Sequence, residues 1–518
     1  MSVRLRAALC AVTVGAVLVA ACIGPGAAQP SAGAVERAPV NVPGDREPHT
    51  PDVYNRAVAF RYFTPGAPAP AVVLVLIPGL NSGPNTLDIL ARQLVRRDAR
   101  LEVWIVAPRA TLLQDRRGIE AALAYQNPDF ALGYYYGGLP IDGDTYHPLS
   151  ANAVAYAAYW GLDVHLRDIH AIVAEAHRRD PGGHVVLGGH SLGGILAALY
   201  AGYDFDRVPG PEPVAMDHGV PTPSPGAGAH GLSGLLLLDG VPLSLIPRLT
   251  GGQYLDGVHI PLLPRIPGVR ALVRRLAAPF TDIQDVARPR DSILLDVIAV
   301  YAYLRPHAAS RLPFPPRDGL AITNEALLGA IFSDRMQRDL LVRASIGAPL
   351  GVFKEIPDPA SLRPDGLLDL ASGEPAPGHA LIGWIPYTQT EPRGRVDLRA
   401  FNAAMLRPGA DFTQWYVPWR LVLDLGLAAG LDTSDEFARR YASLTQVRYM
   451  DVPVLVLGAG EGLVRRPQTA AFYLRHIATP SADQSVEILP GFTHLDIENA
   501  VDNPAVPRIL AWLDRMLH

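Results

Sequence analysis

Ser191 stands at the centre of Gly189-His190-Ser191-Leu192-Gly193. The run His184-Val185-Val186-Leu187-Gly188 precedes it, and the helix-forming stretch Gly194-Ile195-Leu196-Ala197-Ala198-Leu199-Tyr200 follows. A strand, a tight turn with a serine at its apex and a helix form the context in which such a serine serves as a nucleophile. Gly189 and Gly193 lie two positions either side, where a side chain would collide with the neighbouring strand or helix. The plainer alternative is a glycine-rich turn with a solvated serine, and the flanking strand and helix favour the nucleophile. A serine hydroxyl attacks poorly until an imidazole takes its proton. The imidazole in turn needs a carboxylate to hold its tautomer and stabilise its charged form. A histidine and an acid must therefore be supplied by other elements.

In this setting the Gly-His-Ser-Leu-Gly stretch resembles the nucleophile turn of the α/β-hydrolase superfamily, in which acid and histidine follow the serine in that order. The resemblance covers residues 53–245 and 448–518. It implies His494 as the general base: a short strand over 486–489 runs through Pro490-Gly491-Phe492-Thr493 to His494, and an amphipathic helix with Ile509, Trp512, Leu513 and Met516 follows. For the acid it implies Glu461, in the Gly458-Ala459-Gly460-Glu461 loop after the apolar run 452–457, although most members carry Asp there. Asp239 is the alternative, at the end of Leu235-Leu236-Leu237-Leu238, a point from which some members take their acid. Asp496 is close to His494 but reads as a loop or helix-start residue. The oxyanion that forms during attack needs N–H groups already aimed at it. The resemblance assigns these to Leu192, just after the serine, and to Leu80, after the strand 71–77, where Pro78-Gly79 replaces the frequent His-Gly.

The chain has 518 residues, 49% hydrophobic and 18% charged, which indicates a globular protein with a large core plus an insertion, or two domains. A formal charge of −5 implies no bulk attraction to nucleic acid. Arg4 and Arg6, then an apolar run over 7–21, form a secretory signal too short to span a membrane comfortably. Leu18-Val19-Ala20-Ala21-Cys22 resembles the bacterial lipobox, which implies lipidation of Cys22 and a lipid anchor in the cell envelope; a plain signal cut near Ala28 is the alternative. Both cysteines, Cys10 and Cys22, fall in this segment, so the exported domain has no disulfide. His147, His165, His170 and His184 lack metal-ligand spacing, so no metal is assigned. Gly458-Ala459-Gly460 lacks the third glycine of a dinucleotide fingerprint, and no cofactor is assigned.

The segments are thus a signal ending at Cys22 (1–22), an Ala/Gly/Pro-rich tether (23–52), the α/β-hydrolase core (53–245 and 448–518) and a helical lid insertion (246–447). Strands alternating with helices imply a mostly parallel central sheet flanked by helices, with sites at the carboxyl ends of its strands. Helical patterns over 269–277, 292–303, 324–342, 398–405 and 415–425 fill the insertion. Tyr134-Tyr135-Tyr136, in a Gly- and Tyr-rich excursion, either border the site or pack a loop. The expected activity is hydrolysis of a small-molecule or lipid carboxylic ester through an acyl-enzyme. A peptidase or acyltransferase on the same scaffold, and a binding protein with an idle triad, are the alternatives.

Overall fold

Eight strands form one sheet: β1 (Glu36–Pro43), β2 (Arg56–Phe63), β3 (Val72–Ile77), β4 (Leu101–Ala107), β5 (Val185–His190), β6 (Leu232–Leu238), β7 (Val454–Ala459) and β8 (Gln484–Leu489). Their spatial order is β1-β2-β4-β3-β5-β6-β7-β8. β2 runs antiparallel to β1 and β4, and every other pairing is parallel. The computed structural model describes residues 34–517 apart from 180–181, 183, 207–214, 218–219, 223–225, 259–265, 281–289, 312–319, 351–379 and 432–442. The signal segment, Cys22 and the start of the tether lie outside the described residues.

The central strands β3 and β7 are apolar at every position because both faces of the sheet are covered. β3, Val-Val-Leu-Val-Leu-Ile, is buried throughout. Its side chains alternate between two cores, as a pleated strand requires. Val73 and Val75 join Leu187, Leu237 and Val456 under α2 (Leu162–Arg179) and α3 (Leu192–Ala201). Val72, Leu74 and Leu76 join Val186, Leu238 and Leu457 on the other face, under α1 (Asp88–Arg97).

The tether is shorter than its composition suggests. From Glu36 the chain is already β1, paired residue for residue with β2. Pro39 and Pro43 give this stretch the appearance of a loop. Proline cannot donate to a ladder, but β1 is an edge strand, where that loss is tolerated.

Between β6 and β7 lie α4 (Arg290–Leu304), α5 (Asn324–Phe332), α6 (Leu398–Met405) and α7 (Trp419–Ala428), and α8 (Ala505–Asp514) closes the described chain beneath the second core face. The insertion is not purely helical. Leu320–Ile322, Gly347–Leu350 and Ala380–Pro386 form a three-stranded sheet within it. α5 stops at Phe332, ten residues before the helical pattern does, and the hydroxyl of Ser333 donates to the Gly347 carbonyl at 2.8 Å. α7 begins only after Pro418, whose fixed φ suits a helix start and whose missing N–H costs nothing there. Ile293, Val297, Leu327, Phe401 and the helix Asp129–Gly137 with Tyr134–Tyr136 share one further apolar core. The three tyrosines are therefore packed core.

Candidate active site

Ser191 links β5 to α3 with φ 56° and ψ −120°, a conformation hostile to any residue with a Cβ. The turn is held because its N–H donates to the Leu238 carbonyl at 2.8 Å and because its glycines allow close approach. A Cβ at Gly193 would overlap the Ile77 carbonyl oxygen, and one at Gly189 the backbone of Gly193. Gly193→Ala should accordingly give a markedly destabilised protein, by several kcal/mol, in which thermal melting shifts down.

His494 follows β8 in a buried loop. Its Nδ1 lies 2.6 Å from Oδ2 of Asp239, at the end of β6. The acid held against His494 is thus Asp239 and not Glu461. The loop after β7 does not supply a carboxylate to the histidine; it supplies backbone donors to Asp239. Oδ1 accepts from the N–H groups of Ala459 at 3.0 Å and Val464 at 2.8 Å, and Oδ2 from that of Leu463 at 2.9 Å. Burial alone would raise the pKa of Asp239. The hydrogen bond and charge of His494, with the backbone donors, outweigh it and hold the carboxyl below its ordinary value. Glu461 sits in the same loop with its side chain 51% exposed, 3.5 Å from the Arg343 guanidinium. Asp496 is a helix-start residue: it accepts from Thr493 N–H at 3.0 Å and from the N–H and hydroxyl of Ser345 at 2.8 and 2.7 Å. It thereby ties the histidine loop to the insertion.

Ser191 and His494 line one cavity of about 330 Å³. Leu80, Asn81 and Ser82, from the loop after β3, line it too. Among the described residues no acceptor takes the N–H of Leu80 or of Leu192, the latter being one of the orphan donors at the start of α3. Residues 405–414 of the insertion clamp the β3 loop. Asn85 Nδ2 donates to the carbonyls of Met405, Arg407 and Ala410, and Gln414 N–H donates to the Asn81 carbonyl at 2.8 Å. The rest of the cavity wall mixes apolar side chains, Leu294 and Ile298 of α4, Ile331 and Phe332 of α5, then Leu341, Val342 and Phe412, with the polar residues Thr86, Ser292, Gln337, Asp339 and Thr413. Of the aromatic residues in the insertion, Trp415 and Tyr416 are buried in its core, while Phe332 faces the cavity.

The strand order, the antiparallel second strand and the strained serine turn after β5 occur together here. The chain has the α/β-hydrolase fold. No protein-family model matches the sequence, and no curated protein does. Solved structures similar to this one include a soluble variant of monoglyceride lipase from Saccharomyces cerevisiae (12% identity, 89% of this chain and 92% of that one, TM-score 0.33). A thermophilic esterase from Thermogutta terrifontis (10%, 93% and 100%, TM-score 0.37) and an epoxide hydrolase from Vigna radiata (13%, 93% and 98%, TM-score 0.38) are also similar. At these values the strand order and the turn, not the likenesses, carry the assignment of the α/β-hydrolase fold. Among the described residues no group of three or more His, Cys, Asp or Glu side chains is arranged to hold a metal ion.

Chemically, a carboxylate on Nδ1 fixes the hydrogen there and leaves Nε2 with a lone pair. An imidazole in that tautomer can remove a proton from an alcohol in the same cavity. Oxyanion donors, where present, are backbone groups and leave no mark on side-chain identity.

Proposed function

We propose that the protein is a serine hydrolase that cleaves carboxylic esters through an acyl-enzyme. Ser191 attacks the ester carbonyl, and His494 takes its proton and returns it to the leaving alcohol. Asp239 holds the imidazole and stabilises its charged form. The N–H groups of Leu80 and Leu192 receive the oxyanion. Water, activated by the same histidine, then releases the acid. The observation that carries this reading is the 2.6 Å contact of His494 Nδ1 with Asp239, with His494 and Ser191 on one cavity. The Leu, Ile, Val and Phe side chains of the wall support an ester with an apolar acyl group, and about 330 Å³ is the size of a small-molecule site. Residues 246–447, which supply most of that wall, act as a lid that shields the acyl-enzyme from water. Export through the N-terminal signal, with lipidation at Cys22, puts the enzyme on the cell envelope.

The protein should be labelled stoichiometrically by a fluorophosphonate probe and should hydrolyse p-nitrophenyl esters, with turnover varying along a series of acyl lengths. Absence of labelling in the folded protein would remove the nucleophile from the scheme. Faster turnover of aminoacyl anilides than of any ester would replace the esterase with a peptidase.

A further inference from the structure

A second cavity, of about 440 Å³, lies where the edge strands β1 and β2 meet α1 and the insertion. Arg37 of β1, Arg56 of β2, Arg92 of α1 and Arg407 of the insertion all line it, and none of its lining residues is acidic. The strand register explains the gathering. Arg37 pairs with Tyr62, Pro39 with Phe60 and Pro43 with Arg56. Paired residues share a face of the sheet, as do alternate ones along a strand. Arg37, Arg56, Phe60 and Tyr62 therefore lie on one face, the one on which α1 packs.

One carboxylate orients two of the guanidiniums. Asp88, 1% exposed, accepts from Nε of Arg92 at 3.1 and 3.0 Å, and Nε of Arg407 lies 2.8 Å from its Oδ1. The Val35 carbonyl takes Nη1 of Arg92 at 3.1 Å. These contacts leave Nη2 of Arg92 and both Nη atoms of Arg407 with no acceptor among the described residues, and those atoms are not buried. Arg37 lies deeper. Its guanidinium sits 4.2 Å from the centroid of the Phe60 ring, and its three nitrogens are buried with no hydrogen-bond partner. Burial lowers its pKa; Tyr62 and Asp88 oppose the shift, and Arg407 and Arg92 add to it. A guanidinium keeps its proton in proteins, so an unfavourable charge stays in place there.

A clasp between the edge strands and α1 would need only Asp88, Arg92 and Arg407. It does not account for a third cation beneath them, nor for the exposed Arg56 on the same cavity. Four positive charges stand against one buried negative charge. An anion in the cavity would offset that excess.

We propose that this cavity binds a phosphate group, held by the outward nitrogens of Arg92 and Arg407 together with Arg56, above the charge of Arg37. The class of ligand follows from the donors. Guanidinium forks match phosphate oxygens, and a tetrahedral dianion accepts from several forks at once, whereas one fork saturates a carboxylate. The site shares no lining residue with the Ser191 cavity and stands whether or not esters are turned over.

Inorganic phosphate is the probe. In calorimetric titration at low ionic strength it should bind the protein at one saturable site. It should also raise the melting temperature more than chloride does at equal ionic strength. Arg407→Gln should weaken binding about tenfold or more, the loss of charge-assisted hydrogen bonds. Arg407→Lys keeps the charge without the fork and should recover only part of that loss. Arg56→Gln, at an exposed position where the fold is not at risk, should weaken binding several-fold. Absence of saturable binding, or affinity unaltered in both glutamine variants, overturns the proposal. Two sources can present the group, and vesicles separate them. Sedimentation with phosphatidylglycerol vesicles that depends on Arg56 and Arg407, and that free phosphate competes away, identifies a lipid headgroup. Binding of inorganic phosphate without vesicle binding identifies a free phosphate. Vesicle binding indifferent to both arginines, with no binding of inorganic phosphate, removes the site.

Discussion

Asp239→Asn should lower kcat about 10⁴-fold, the cost of presenting the wrong histidine tautomer to a serine. The amide would turn its NH₂ toward Nδ1 of His494, because its oxygen is claimed by the N–H groups of Ala459 and Val464. The ring hydrogen then moves to Nε2, the atom that must accept the serine proton. Glu461→Gln should leave kcat within about twofold, since a half-exposed side chain 3.5 Å from Arg343 contributes little. The two variants, compared by steady-state hydrolysis of one p-nitrophenyl ester, decide the acid. The opposite ranking would return the role to Glu461 and break the link between geometry and chemistry proposed here. Stability carries an independent sign. The folded pKa of Asp239 is depressed, so its contribution is complete above the ordinary carboxyl range and is lost as pH falls through the folded value. Asp239→Asn should therefore flatten the wild-type decline in melting temperature at acid pH.

The ambiguity between these two acids shows what a sequence can and cannot specify. β3 and the serine turn are legible because their apolar runs lead into glycine and both faces of the sheet are covered. His494 is legible from its order after the serine and its place after β8. The acid is not, because two adjacent parallel strands, β6 and β7, each end in a carboxylate. What selects between them is a set of three backbone N–H groups in the β7 loop, and backbone donors have no signature in residue type. One trace existed. A Cβ at Gly462 would overlap the Asp239 carboxylate, so this glycine is what lets the loop wrap an aspartate. Similar reasons hid β1, whose prolines are tolerated only because it is an edge, and the three-stranded sheet in the insertion, whose pairing joins segments far apart in sequence.

Ser191→Gly should lose about 10⁴-fold or more in kcat and at the same time gain about 1 kcal/mol in stability. The loss follows from removing the nucleophile. The gain follows from the backbone: φ 56° with ψ −120° costs a residue with a Cβ about 1–3 kcal/mol, and glycine escapes that cost at an entropic penalty of about 0.5–1 kcal/mol. Ser191→Ala separates the two effects. It removes the same hydroxyl and should lose the same activity and fluorophosphonate labelling, but it keeps its Cβ and hence the strain. Urea denaturation should thus rank the glycine variant above both alanine and wild type. If glycine is the least stable of the three, the turn is not strained and its shape follows from packing alone. If glycine is the most stable, the chain holds an unfavourable conformation at the one position where a hydroxyl must face the cavity, and that is the mark of a site kept for chemistry at the expense of stability.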